Sequence, residues 1–339
     1  MLNKLASYAA AIAALVMLLA PAPAGAQPQV FPEIVTWTVT PSFNAALGNA
    51  GISGATCTST EAPFRVCLAV SDVSNLGQIF KISGSDIVTG PLVRLHADPP
   101  TVVAPLIPAG NIDAEGVGYD ADTGFFYVVG SRPRAQRFPS PVARPNQIIR
   151  FPINQKTGAL PFKSDEAAVA PEVERTSLTA ALQFAAGNAA PLDAGAVDIK
   201  GIAVSNERLY VGLRAPSLAG NDLIISVHPR AVFGPAQQAM DAKFHQVPLG
   251  ANREIRDLAR VETGILILAG PPSDAAGTNS LFHWDIVNNV LRHLADFADP
   301  TDRRAESLTV LSEDPEFFRV LVMFDGVQNG APTQYHVPL

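Results

Sequence analysis

Five stretches of this chain place one polar side chain just ahead of an alternating apolar run. They are NAGISGATC (49–57), IDAEGVGYD (112–120), VDIKGIAVS (197–205), REIRDLARV (253–261) and RRAESLTVL (303–311). The aligned residues are Ser53, Glu115, Lys200, Arg256 and Glu306. A second apolar run follows each stretch: FRVCLAVSD, FFYVVGSRP, RLYVGLRAP, GILILAGPP and FRVLVMFDG. These runs carry Ser71, Ser131, Arg132, Arg214 and Asp325 at their ends. If the paired runs are antiparallel neighbours, the start of the first and the end of the second share one face. Arg132, Arg134, Arg137 and Arg214 would offer planar donors for a carboxylate or phosphate. Glu115, Glu306 and Asp325 could accept from sugar hydroxyls, ligate a hard cation, or act as acid and base. The candidate ligand-binding set is Glu115, Lys200, Arg256, Glu306, Arg132, Arg214 and Asp325. It suits a small polar or anionic ligand, or a protein partner. The same set with a divalent cation as cofactor would suit a metal-assisted hydrolase of phosphoesterase type. Opposite charges around a tight channel can also form a salt-bridge lattice that only fixes register.

The elements that must position these residues are short. Third runs recur as QIFKIS, QIIRFPI, LIISVHP, SLFHWDI and TQYHVPL, and fainter fourth runs as LVRLHA, FHQVPL and VLRHLADF. Runs of this kind bounded by Gly, Pro, Asp and Asn read as strands. The aligned residues of successive units lie 62, 85, 56 and 50 residues apart. Three or four strands at this period imply an all-β fold, a single β-propeller of five blades, with six as the rival. The longest interval holds SDEAAVAPEVERTSLTAALQFAAG (164–187), whose alanine-rich pattern implies a helical insertion. The last unit lacks a fourth strand. EIVTWTV (33–39) could supply it and close the ring, removing two open sheet edges.

Residues 1–26 read as a Sec-type signal peptide: Lys4, a 12-residue apolar run from Ala9 to Ala20, and Ala24-Gly25-Ala26 before a cleavage point. The expectation is a periplasmic or secreted protein whose single propeller domain spans 27–339, with no membrane span after signal removal. Cys57 and Cys67 would then be free to form a disulfide. A net charge of −7 and scattered Lys and Arg exclude a nucleic-acid surface. The six histidines show no zinc-motif spacing, and most fall on third or fourth runs, away from the channel. Asp120-Ala121-Asp122-Thr123-Gly124 looks like the start of a calcium loop but lacks its remaining ligands, so it reads as a turn. Trp37 and Trp284 read as core or blade-edge aromatics rather than a sugar-stacking pair.

The run EGVGYDADTGFFYVVGSRPR, then KGIAVSNERLYVGLRAP, REIRDLARVETGILILAGPP, LFHWD and RRAESLTVL…VMFDG resembles the bacterial domain of unknown function 3616 family. The resemblance covers most of residues 50–326 and implies a β-propeller-like fold without an established reaction. The acidic-Gly strand start is also faintly similar to esterase-like phytase propellers.

Overall fold

The computed structural model describes residues 30–31, 35–60, 65–97, 112–131, 146–155, 157–163, 168–187, 197–234, 239–272, 277–297 and 303–339. Three short strands come first: β1 (Val30–Phe31), β2 (Val35–Thr36) and β3 (Thr38–Val39). Blade 1 holds β4 (Ile52–Cys57), β5 (Arg65–Ser71), β6 (Leu76–Ser83) and β7 (Asp86–Arg94). Blade 2 holds β8 (Ala114–Asp120), β9 (Phe125–Gly130), β10 (Gln147–Pro152) and β11 (Glu174–Ser177). Blade 3 holds β12 (Asp198–Ser205), β13 (Arg208–Leu218), β14 (Asn221–Val227) and β15 (Lys243–Val247). Blade 4 holds β16 (Glu254–Val261), β17 (Gly264–Gly270), β18 (Ser280–Asp285) and β19 (Val290–Phe297). Blade 5 holds β20 (Arg304–Glu313), β21 (Phe317–Asp325) and β22 (Thr333–Pro338). Within each blade successive strands pair antiparallel, so every sheet is an up-and-down meander. The inner strands β4, β8, β12, β16 and β20 contact one another in that order and β20 returns to β4, which closes a ring of five blades.

The fourth strand of blade 5 comes from the other end of the chain. β2 pairs antiparallel with β22, Val35 opposite Gln334. On either side of it, β1 pairs parallel with β19 and β3 pairs parallel with β7. One N-terminal segment therefore edges blades 4, 5 and 1. The 164–187 segment is only partly helical. Its described residues give the outer strand β11 and then α1 (Thr179–Ala186). β11 reads ERTS, with no apolar alternation to mark it as a strand. Among the described residues no helix is long and apolar enough to cross a membrane.

The middles of the second strands are apolar on both faces because neighbouring blades cover both. Five hydrophobic clusters fill the five wedges between blades. Trp37 lies in the wedge between blades 5 and 1, and Trp284 in the wedge between blades 3 and 4. Asp120 caps the β8–β9 turn, its Oδ1 accepting from the Asp122 N–H at 3.0 Å, as a turn aspartate does. Cys57 and Cys67 stand opposite each other on β4 and β5 and form a disulfide. The bridge closes a short loop, so Cys57→Ser with Cys67→Ser is expected to lower stability by roughly 2–3 kcal/mol, read from urea unfolding.

Candidate functional site

Each inner strand carries a β-bulge near its start. The pairing slips between Ile52 and Gly54, Ala114 and Gly116, Ile199 and Ile202, Ile255 and Asp257, and Ala305 and Ser307. The residue left out of register is Ser53, Glu115, Lys200 (with Gly201), Arg256 or Glu306. A bulge bends its strand and re-aims a side chain. Here it turns the aligned polar residue of every blade toward the axis at one mouth of the ring.

The residue after the bulge is Gly54, Gly116, Gly201, Asp257 or Ser307. The first three are glycines because the inner strands touch there. A Cβ on Gly54 would lie 2.7 Å from the Gly116 Cα, and one on Gly116 would lie 2.5 Å from the Gly201 Cα. The Asp257 carboxylate uses both oxygens on backbone, accepting from the Leu258 N–H at 2.8 Å and the Leu308 N–H at 2.7 Å. Burial pushes this carboxyl well above its usual range, against those two donors. These contacts draw the centre of the ring tight beneath the mouth.

Four of the predicted residues meet directly. Lys200 Nζ pairs with Glu115 Oε2 and lies 3.3 Å from Glu306 Oε2. Arg256 NH1 lies 2.8 Å from Glu306 Oε1, and its NH2 donates to the Pro271 carbonyl. All four are buried; Arg256 is 1% exposed. Burial alone would lower the Lys200 ammonium, but Glu115 and Glu306 outweigh it and hold it above its ordinary range. Burial would raise Glu306, but Lys200 and Arg256 outweigh it and hold it low. Burial pushes Glu115 well up, and Lys200 opposes this without cancelling it. Blade 1 contributes only a hydroxyl: Ser53 donates to the Ala114 carbonyl.

Two other predicted residues sit farther out. Arg214 grips Asp198, with Nε and NH2 at 2.9 and 2.5 Å from Oδ2, and Ser131 donates to Asp198 Oδ1 at 3.2 Å. Asp325 accepts from Arg304 NH2 at 2.7 Å. Arg132, Arg134 and Arg137 lie outside the described residues, as do residues 1–26.

The rim contains residues the sequence reading passed over. Two positions before each bulge stand Gly51, Asp113, Asp198, Glu254 and Arg304. The strand alternation that selected Glu115 and Lys200 would have selected this second ring, because residues two apart share a face. Asp72, just after β5, joins it. Burial raises Asp72 to about 6, reinforced by Asp325 and Glu306 and opposed by Lys200. Burial raises Asp113 to about 7, reinforced by Asp72 and Asp198 and opposed by Lys200 and Arg214. Burial and then Glu254 raise Asp222 to about 7. Among the described residues the rim is therefore rich in acceptors, and Arg214 and Arg304 are engaged with aspartates. Among the described residues no three His, Cys, Asp or Glu side chains converge as a metal cluster.

The raised Asp113 makes a sign prediction. The folded state holds its proton more tightly than the unfolded chain does. The resulting stabilisation is complete below about pH 4 and is lost as pH rises to about 7. Asp113→Asn is expected to be more stable than the parent at pH 8, by on the order of 1–2 kcal/mol, with no gain at pH 4. Denaturant unfolding at the two pH values checks this.

The fold and mouth define a five-bladed β-propeller with a buried ionic plug under an acidic rim. Residues 176–336 match the model of a family described as "Protein of unknown function (DUF3616)", in agreement with the resemblance read from the sequence. No curated protein sequence matches the chain. Among solved structures it is similar to an exo-β-1,3-galactanase from Phanerochaete chrysosporium at 11% identity and a TM-score of 0.47, covering 92% of this chain and 64% of that one. It is also similar to a GH43 β-1,3-galactosidase at 9% identity and a TM-score of 0.47, covering 90% and 94% of the two chains. A nidogen/laminin complex chain gives 13% identity and a TM-score of 0.37, over 85% and 84%. The chain thus spans less than two thirds of the galactanase's length.

Proposed function

We propose that this is an exported binding propeller whose mouth takes a small polar ligand through its hydrogen-bond donors. One observation carries the reading: among the described residues Lys200, Arg256, Arg214 and Arg304 are already engaged by carboxylates, while Asp72, Asp113 and Asp222 crowd the rim. That arrangement favours hydroxyl or ammonium groups over the anionic ligand that the arginines alone suggested. The Glu115–Lys200–Glu306–Arg256 plug supplies a rigid floor, and ligand contact falls to the rim. The Cys57–Cys67 disulfide supports export, since such bridges persist in oxidising compartments.

Native mass spectrometry of the protein isolated from its own cells, beside its denatured mass, tests both parts. A denatured chain beginning at Gln27 supports export. Calorimetry with glucose, galactose and xylose, against glucose 6-phosphate and gluconate, then probes the mouth. Heat from a neutral sugar, lost in Arg214→Ala and Asp113→Asn, is the expected result. A bare native mass with no heat from any neutral sugar would overturn the reading.

The hydrolase alternative keeps one supporting observation. Asp72 and Asp113, raised to about 6 and 7, fall in the range where a carboxyl can give and take protons near neutral pH. Turnover of a phosphate ester, sensitive to chelator and lost in Asp113→Asn, is what that reading requires.

A further inference from the structure

The other face of the ring carries a cavity of about 310 Å³ at the seam where the ring closes. It lies between blade 1, which contributes Arg65 and Ile82, and blade 5, which contributes Leu311, Arg319 and Gln334. Trp37, between β2 and β3, completes the wall. The volume equals on the order of ten waters. The exposed Gly84–Ser85 turn of the β6–β7 hairpin forms one edge.

Its chemistry is opposite to that of the mouth. Arg65 is 7% exposed, its NH2 donates to the Thr60 carbonyl at 2.5 Å, and its Nε has no partner among the described residues. Arg319 Nε donates to Ser312 Oγ at 3.1 Å. Among the described residues no carboxylate pairs with either guanidinium. Burial, and then Arg319, lower Arg65, as two neighbouring cations should. Trp37 is 6% exposed, and its indole N–H also lacks a partner among the described residues. Buried donors of this kind are costly unless something accepts from them. Among the described residues, a cavity that gathers two guanidinium groups and an indole N–H around an apolar wall is short of an acceptor with negative charge.

We propose that this seam pocket binds a small molecule bearing an oxyanion, with its carboxylate or phosphoryl group at Arg65 and Arg319 and a planar or apolar body against Trp37, Ile82 and Leu311. Such a ligand would touch the N-terminal segment, blade 1 and blade 5 together. It would therefore clamp the closure of the ring, and binding would raise the melting temperature.

The test titrates phenyl phosphate, phenylacetate and the neutral control benzyl alcohol into the full chain, reading heat, melting temperature and Trp37 emission in a Trp284→Phe background. The expected result is a saturable response to at least one anion and none to benzyl alcohol. Saturation by phenyl phosphate alone assigns a phosphoryl ligand, and by phenylacetate alone a carboxylate. Arg319→Gln should weaken binding at least tenfold. Ser85→Tyr, on the exposed turn, should block the pocket and keeps the test intact if the first variant unfolds. No saturation by either anion, or binding by both variants equal to the parent's, overturns the proposal.

Discussion

Lys200→Met is expected to cost about 3–5 kcal/mol of stability, because it leaves Glu115 and Glu306 buried without their shared cation. For a chain of this length that corresponds to a fall of roughly 5–8 °C in melting temperature. The size follows from burial. The same pair on the surface would be worth under about 1 kcal/mol, since water would take the place of either partner. The lattice also predicts an asymmetry between its carboxylates. Glu306 is held ionised between Lys200 and Arg256, so Glu306→Gln leaves Arg256 without a carboxylate and Lys200 with Glu115 alone. Burial already works against the Glu115 charge, so Glu115→Gln should cost less. Combining Glu115→Gln with Lys200→Met should recover part of the loss. A Lys200→Met protein within 0.5 kcal/mol of the parent would show that the plug is hydrated and contributes little.

The second large effect comes from a single methyl group. Gly201→Ala places a Cβ 2.6 Å from the Leu258 nitrogen and 2.7 Å from the Asp257 Cα, at a residue whose φ is +77°. The obstacle is backbone of the neighbouring inner strand, so no side chain can swing aside. Either the wedge between blades 3 and 4 opens or the strand shifts. We expect a loss of about 3–4 kcal/mol, combining overpacking with left-handed strain. Gly220→Ala is the matched control. Its φ is +81°, but nothing stands within 4 Å of the new atom. It should cost about 1 kcal/mol, which is the strain alone. Equal losses at the two positions would contradict the close approach of the inner strands. Urea unfolding of both variants decides it.

The architecture was legible because a propeller repeats its pattern. The aligned polar residue and the apolar runs after it gave strand order, blade number and the shared mouth. β2 was foreseen from the missing fourth strand of blade 5. The pairings of β1 and β3 with blades 4 and 1 were not, because two-residue strands carry no periodicity. β11 was hidden for a similar reason: an outer-edge strand packed on one side needs no apolar alternation. The site was legible as a set of residues but not as a chemistry. Glu115, Lys200, Arg256 and Glu306 were all placed at the mouth, yet their types do not reveal that they satisfy one another. That outcome depends on distances that no one-dimensional pattern encodes. Asp72 and Asp113 were missed because an acidic residue beside a turn reads as turn chemistry. Arg65 and Arg319 were missed because each lies in an otherwise ordinary apolar run, and only the ring closure brings them together.

That closure also bears on how the molecule is made. The segment that edges blades 4, 5 and 1 precedes every blade, while one of its partners, β22, follows them all. None of the intervening blades can finish the circle by local hairpin formation, however early they zip up. Closure therefore needs a search between β2 and β22, segments far apart in sequence, the kind of distant pairing that slows folding. Until that search succeeds, the wedge holding Trp37, Phe43 and Leu321 lacks the strand pair that closes its outer edge. A chain without β22 would leave β21 as an unpaired sheet edge, the kind of surface on which chaperones and other chains act.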